Sequence, residues 1–304
     1  MGEPQQNADA VAILGLGLMG GSLGLALRAR GFRGRVAGYA RRAEVRAEAL
    51  RRGAADEVFD RPEAAARGAG VVVVCVPVLE IPALAAAAAP ALSPSAAVTD
   101  VGSTKAWVAD RVRAALGAAA GRFVGSHPIA GSEKQGLDAA APGLYENATV
   151  VVTPRADGSP EAVSRVAALW RFVGARVIQL TPDDHDRLLA RTSHLPHLTA
   201  AVLAAVAGRG ADVERYGAFC GTGFRDTTRV ADGSPEVWHD IVRTNRDALL
   251  EEMEAFAGRW REAVEALRRE DFAALRRALE EGRNARRALL SGGGAGVRAE
   301  GESS

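Results

Sequence analysis

"VAILGLGLMGGSLGLALRARG", residues 11–31, is the stretch on which the fold turns. Residues 11–14 are a short apolar run, Gly15, Gly17 and Gly20 follow at GxGxxG spacing, and an amphipathic segment carries on to Gly31. The glycines alone would mark only a tight turn. Directly after a strand and at the head of a helix, they open a dinucleotide-binding βαβ unit. Gly15 is expected to make the turn, Gly17 to admit a pyrophosphate to the backbone, and Gly20 to let helix and strand pack. The first turn of the helix, through Leu18 and Met19, then offers N–H groups and the positive end of the helix dipole to the phosphates.

Outward from that stretch, apolar strand-like segments recur at residues 35–39, 70–77, 96–102, 122–128, 148–154 and 175–181, with helical segments interspersed. The run "GVVVVCVP" at 70–77 has no polar face, as a parallel strand covered on both sides requires. The pattern predicts an α/β fold, a Rossmann doubly wound parallel sheet over residues 9–181. From Pro182 to about residue 290 only helical periodicity remains, which predicts an all-α second domain over 182–290 able to pair two copies as a homodimer. The Gly- and Ser-rich residues 291–304 are expected to be a disordered tail, with no regulatory domain after the helices.

The second strand candidate ends in "GYARR", where NAD-binding chains place an acidic reader of the ribose 2′-hydroxyl. Here that place holds Ala40, followed by Arg41 and Arg42. Two guanidinium groups suit a 2′-phosphate, so the cofactor is expected to be NADP, or NADP and NAD alike, unless both arginines are simply solvated. Val76, at the tip of the third strand, completes the expected cofactor contacts beside Gly15, Gly17, Leu18, Met19 and Gly20.

The chain has 304 residues, 48% hydrophobic and 25% charged, with net charge +1. That balance gives no reason to expect nucleic acid as a partner, and no apolar run is long enough for a membrane span. The N-terminus "MGEPQQNADA" lacks a basic-then-apolar leader pattern, and Cys75 and Cys220 form no CxxC pair, so a cytoplasmic protein with free thiols is expected. Lys105 and Lys134 are the only lysines beside 36 arginines, and both fall in loops that carry candidate chemistry.

Those loops hold "DVGSTK" (100–105) and "SHPIAGSE" (126–133, running on into Lys134), each at the carboxyl end of a strand. Ligands of an open parallel sheet bind beyond that end, so Ser103 and His127 should face one crevice. A histidine at a strand tip, fixed by Pro128 and a Gly-rich loop, suits acid/base work. Together with "GLGLMGGSLG", "TPDDHD", "SHLPH" and "GFRDTTRVADGSPEVWHDI", these runs resemble the prephenate and arogenate dehydrogenases in order, from about Val11 to Leu290.

The resemblance implies a Rossmann domain followed by a helical dimerisation domain. It also implies oxidative decarboxylation of prephenate to 4-hydroxyphenylpyruvate with hydride transfer to NAD(P), in tyrosine biosynthesis, or the parallel reaction of arogenate or of an amino-substituted prephenate. His127 is then the catalytic histidine on the ring hydroxyl, and Ser103 helps to position both. Glu133 lies on the polar rim, His197 and Arg229 bind substrate from the helical half, and Asp186, Asp226 and Trp238 support them. His194 is left open between capping, a buried hydrogen bond and function. No metal is expected, because aromatisation of the ring drives the decarboxylation. Two other readings are weaker. Hydroxyacid dehydrogenases of the 6-phosphogluconate type need a lysine in the helical half, and no lysine follows position 134. A non-enzymatic dinucleotide sensor would have no use for Ser103, His127 and Arg229 together.

Overall fold

The computed structural model describes residues 10–131, 134–210 and 212–292; Glu133 and most of the expected tail lie outside the described residues. Five strands, β1 (Ala10–Leu14), β2 (Val36–Tyr39), β3 (Glu57–Phe59), β4 (Ala69–Val74) and β5 (Ala97–Asp100), form a parallel sheet in the order β3-β2-β1-β4-β5. That is the doubly wound order, with helices on both faces. The strand period of two sorts the core: Val11, Ile13, Val71 and Val73 enter one buried cluster, Ala12, Leu14, Val72 and Val74 the other. The short β3 escapes sequence reading because it has three residues and begins on the exposed Glu57.

A second sheet holds β6 (Gly125–Ile129), β7 (Thr149–Thr153) and β8 (Arg176–Gln179) and touches the first through the parallel bridge Val98–Phe123. The expected parallel sheet is the five-stranded one; in this smaller sheet β6 and β7 are antiparallel, and β8 is parallel to β7. The cause is what connects them. Parallel neighbours need a crossover, which the helix Pro160–Phe172 supplies between β7 and β8. Between Ile129 and Thr149 the described residues offer only a 3-10 turn, Leu137–Ala139, so β7 returns alongside β6.

From residue 182 to 292 the described residues form helices joined by short turns, as expected. Thr181 caps the helix Pro182–Leu189 by accepting from the Asp184 N–H at 3.1 Å, with Pro182 in its first turn. The helix then opens into a π turn, Ala190–His194, before continuing as Leu195–Gly208. Pro196 explains the opening: it has no N–H for the carbonyl four residues back, that of Thr192, and its ring crowds that oxygen. The helices Val213–Gly217, Thr222–Thr228 and Pro235–Thr244 follow, with a 3-10 turn Arg229–Asp232 between the last two.

The chain divides into two compact units, residues 1–246 and 247–304. The first includes the helices from Pro182 to Thr244, because Pro182–Leu189 packs on the helix Ala106–Leu116 and Pro235–Thr244 packs on the turn Val78–Glu80. The second holds most of the helix Arg246–Arg268 and all of Phe272–Gly292. The Arg259 guanidinium there reaches Glu262 at 3.2 Å and also pairs with Glu281.

Candidate functional site

At the glycine turn, Gly15 has φ +108°, a conformation that favours glycine, and a Cβ there would run into the Cys75 carbonyl and Val76. A Cβ on Gly20 would strike the Gly15 carbonyl oxygen and come within 2.9 Å of Ile13. A Cβ on Gly17 would meet nothing within 4 Å, leaving an open approach to the start of the helix Leu18–Ala29. A cradle closed at two glycines and open at the third fits a dinucleotide pyrophosphate.

The loop after β6 is bound to this helix. The Tyr145 hydroxyl donates to the Met19 carbonyl at 2.6 Å, the Ala141 N–H donates to Ser22 at 3.0 Å, and Arg52 holds the carbonyls of Leu137 and Ala140. At the end of β2, Ala40 is buried and Arg41 and Arg42 are exposed, while Arg46 donates to the carbonyls of Ala40 and Arg41. Arg41 meets Glu80 at 3.4 Å, an acidic partner contributed by the turn after β4 that the sequence reading did not foresee. A cleft lined by Pro77, Glu80, Pro235, Val237 and Asp240 opens beside that turn.

Behind His127 lies a buried polar cluster. The Lys105 ammonium pairs with Asp100 and donates to the Ser126 carbonyl at 2.9 Å, while Asp100 accepts the Ser126 N–H at 3.1 Å. Lysine and aspartate, both fully buried, thus clamp β6 one residue before His127. Burial pulls the Lys105 pKa below its usual value, against the Asp100 charge. Removing either partner would leave an uncompensated buried charge.

Asp186 accepts the backbone N–H of Lys105 at 2.7 Å and of Ala106 at 2.9 Å, and its Oδ1 lies 2.8 Å from His185 Nδ1. His185 Nε2 lies 2.8 Å from His127 Nδ1. His127 keeps some solvent exposure, yet burial pushes its pKa well below 6.5, with His185, Lys105 and His194 adding in the same direction. His185 is also lowered by burial, against Asp186.

The opposite wall is tied to this cluster through Asn245. Its side-chain amide donates to the Asp186 carbonyl at 2.8 Å and lies 3.0 Å from His194 Nδ1. Those contacts use both amide hydrogens, so His194 Nδ1 accepts and Nε2 carries the proton. That Nε2 is buried and has no hydrogen-bond partner among the described residues, which leaves an N–H available to a ligand. Burial lowers the His194 pKa to about 4, keeping it neutral. His197 stacks on Trp238 at 3.5 Å between ring centroids, and Gly233 backs the pair, since a Cβ there would meet both rings within 2.8 Å. Burial lowers the His197 pKa.

The His194 ring also meets Trp238 edge-on at 6.0 Å between centroids, so of the residues expected from sequence His127, Asp186, His197 and Trp238 join one chain of contacts. Ser103 is partly exposed at the head of the turn leading to Lys105, and His127 Nδ1 is taken by His185 rather than by Ser103. Asp226 and Arg229 are solvent-exposed, Arg229 on the 3-10 turn that packs against the helix bearing His197. Sequence reasoning missed His185 and Asn245 and left Lys105 and His194 unassigned. One signal pointed to them: four of only five histidines sit in this cluster.

A family model described as the nucleotide-binding domain of prephenate dehydrogenase matches residues 23–179, and one described as its dimerization domain matches residues 181–281. A cyclohexadienyl dehydrogenase from Zymomonas mobilis is 35% identical over 284 residues, 92% of this chain and 95% of that protein. Among solved structures, prephenate dehydrogenase from A. aeolicus in complex with hydroxyphenyl propionate and NAD+ has a TM-score of 0.84 at 32% identity, covering 92% of this chain and 98% of that one. Arogenate dehydrogenase from Synechocystis has a TM-score of 0.80 at 29% identity, covering 92% and 99%.

Proposed function

Since the chain belongs to the prephenate dehydrogenase family, we propose that it oxidises and decarboxylates prephenate with His127 as general base. The observation that carries this reading is a histidine held neutral by burial and anchored from behind by His185 and Asp186. His127 takes the proton of the ring hydroxyl as C4 loses its hydride, and the ring becomes aromatic by releasing CO₂. The dinucleotide, when bound at the Gly15–Gly20 turn, supplies the hydride acceptor. The residues around it align C4 and hold two carboxylates, the task of the His194 N–H, His197 and Arg229, with Ser103 on the hydroxyl and Asp226 in support. Steady-state turnover of prephenate and of arogenate tests the assignment. Prephenate is the expected substrate, and an enzyme that turns over only arogenate would move it to the neighbouring activity.

The same assay, run with both cofactors, addresses Arg41 and Arg42. Glu80 competes with a 2′-phosphate for Arg41, but an exposed ion pair contributes only about 0–1 kcal/mol. NADP and NAD are therefore expected to serve comparably. Ala40→Asp, placing a carboxylate at the ribose, should shift preference toward NAD by about tenfold or more. Strong NAD selectivity in the wild type would remove both arginines from the 2′-site.

The functional division is proposed at 181/182, with the helical part pairing two copies. Its last two helices leave Trp260, Phe272, Leu279 and Leu289 from 63% to 76% exposed, apolar surface of the kind a partner covers. Sedimentation should give twice the chain mass; a monomer at micromolar concentration would contradict the pairing.

A further inference from the structure

We infer that His185 is a positioning residue that selects the tautomer of His127, a step that rests on the reading of His127 as base. The selection starts at Asp186. Its Oδ1 and Oδ2 already accept the N–H groups of Lys105 and Ala106, and a carboxylate can only accept, so the 2.8 Å contact with His185 requires a hydrogen on His185 Nδ1. A neutral imidazole carries one N–H. His185 is fully buried and held neutral, so its Nε2 is a bare acceptor. His127 Nδ1, 2.8 Å away, must then donate to it. The one hydrogen of neutral His127 is thereby fixed on Nδ1, and its Nε2 is left bare.

The bare Nε2 is what a general base needs. A His127 ring with its hydrogen on Nε2 could not take the substrate proton at that atom. When the substrate O–H bond breaks, its proton forms the new Nε2–H bond, the electron pair left on oxygen becomes part of the C4 carbonyl, and the hydride leaves C4 for the nicotinamide. The imidazolium so formed keeps its Nδ1–H on His185 Nε2, and that hydrogen bond strengthens with the charge. The groups around His127 set the balance. From the end of β5 comes Asp100, which pairs with Lys105, and from the loop after it Lys105, which opposes a positive His127. From the helix Pro182–Leu189 come His185 and Asp186, and from the π turn His194. The negative charge nearest the far end of the hydrogen-bonded pair is Asp186.

With five histidines in the chain, long-range ¹H–¹⁵N correlation spectra of the ¹⁵N-histidine-labelled full-length protein can resolve each ring. His127 and His185 are expected to be protonated on Nδ1 and His194 on Nε2. His185→Gln keeps an oxygen acceptor in the place of Nε2, and should preserve the His127 Nδ1–H form with kcat within about threefold of wild type. His185→Leu removes the acceptor; His127 should then show a mixture of tautomers, and kcat should fall by about tenfold to thirtyfold with KM within about twofold. A wild-type His127 protonated on Nε2, or a His185→Leu variant with unchanged kcat, overturns the inference. The tautomer measurement needs no turnover, so it separates failure of this inference from failure of the base assignment. If the leucine variant does not fold, the wild-type and glutamine spectra still decide.

Discussion

Replacing His127 with asparagine or alanine is expected to lower kcat by roughly 10²–10⁴, the range over which a positioned general base acts, while cofactor Kd stays nearly unchanged. The Gly15–Gly20 turn, the proposed cofactor site, is braced by Tyr145 and Ser22 rather than by the His127 ring. Substrate binding should suffer little, because the imidazole works on one hydroxyl. The wild-type pH profile carries a second expectation. The working form is neutral, and the His127 pKa lies well below 6.5, through burial first and then through His185, Lys105 and His194. The neutral form therefore survives to lower pH than an ordinary histidine would allow. The acid limb of kcat/KM, which reports the free enzyme, should stay flat as pH falls through 6.5 and decline only below it. An asparagine variant with near-normal kcat would take His127 out of the chemistry; an acid limb at or above 6.5 would show a base in a wetter environment.

Arg229→Ala is expected to raise KM for prephenate by about 10–100-fold, with a smaller effect on kcat and almost none on cofactor Kd. A charge-assisted fork on a carboxylate is worth roughly 1.5–3 kcal/mol, which spans that range. Arg229 is exposed and makes no ion pair among the described residues, so its guanidinium is open to a ligand. Its 3-10 turn packs on the helix that carries His197, which sets its anchor beside the stacked His197–Trp238 pair. Arg229→Lys should recover only part of the loss, because an ammonium is a point charge without the planar fork. An unchanged KM in the alanine variant would mean that the carboxylate is held elsewhere, with the His194 N–H as the next candidate.

How much of this could be seen in the sequence depended on whether a feature is local. The glycine turn was legible because strand, turn and helix chemistry fall within 21 consecutive residues, 11–31. The buried strands β1 and β4 were legible from unbroken apolar runs. The reversal of β7 was not, since residue pattern reports burial and period but not direction. His127 stood out at a strand tip beside Pro128. His185 did not, because its role comes from a contact with a residue 58 positions earlier. Asn245 likewise matters through Asp186 and His194, 59 and 51 positions away. Lys105 was conspicuous by rarity alone; only the folded chain shows its ammonium sealed against Asp100, in a space fitted to a compact cation.

The π turn at Ala190–His194 makes the pocket depend on chain count as well as on side chains. Such a turn holds one more residue than an α turn, and each residue in an α-helix advances by about 100°. Everything from Leu195 onward is therefore rotated by about that angle relative to an uninterrupted helix. His197 stacks on Trp238, rather than pointing elsewhere around the helix, because of that phase offset. Substituting residues within the turn tests what their side chains do and leaves the offset intact. The angular setting of this wall is stored as a length, which an insertion, a deletion or the loss of Pro196 would rewrite.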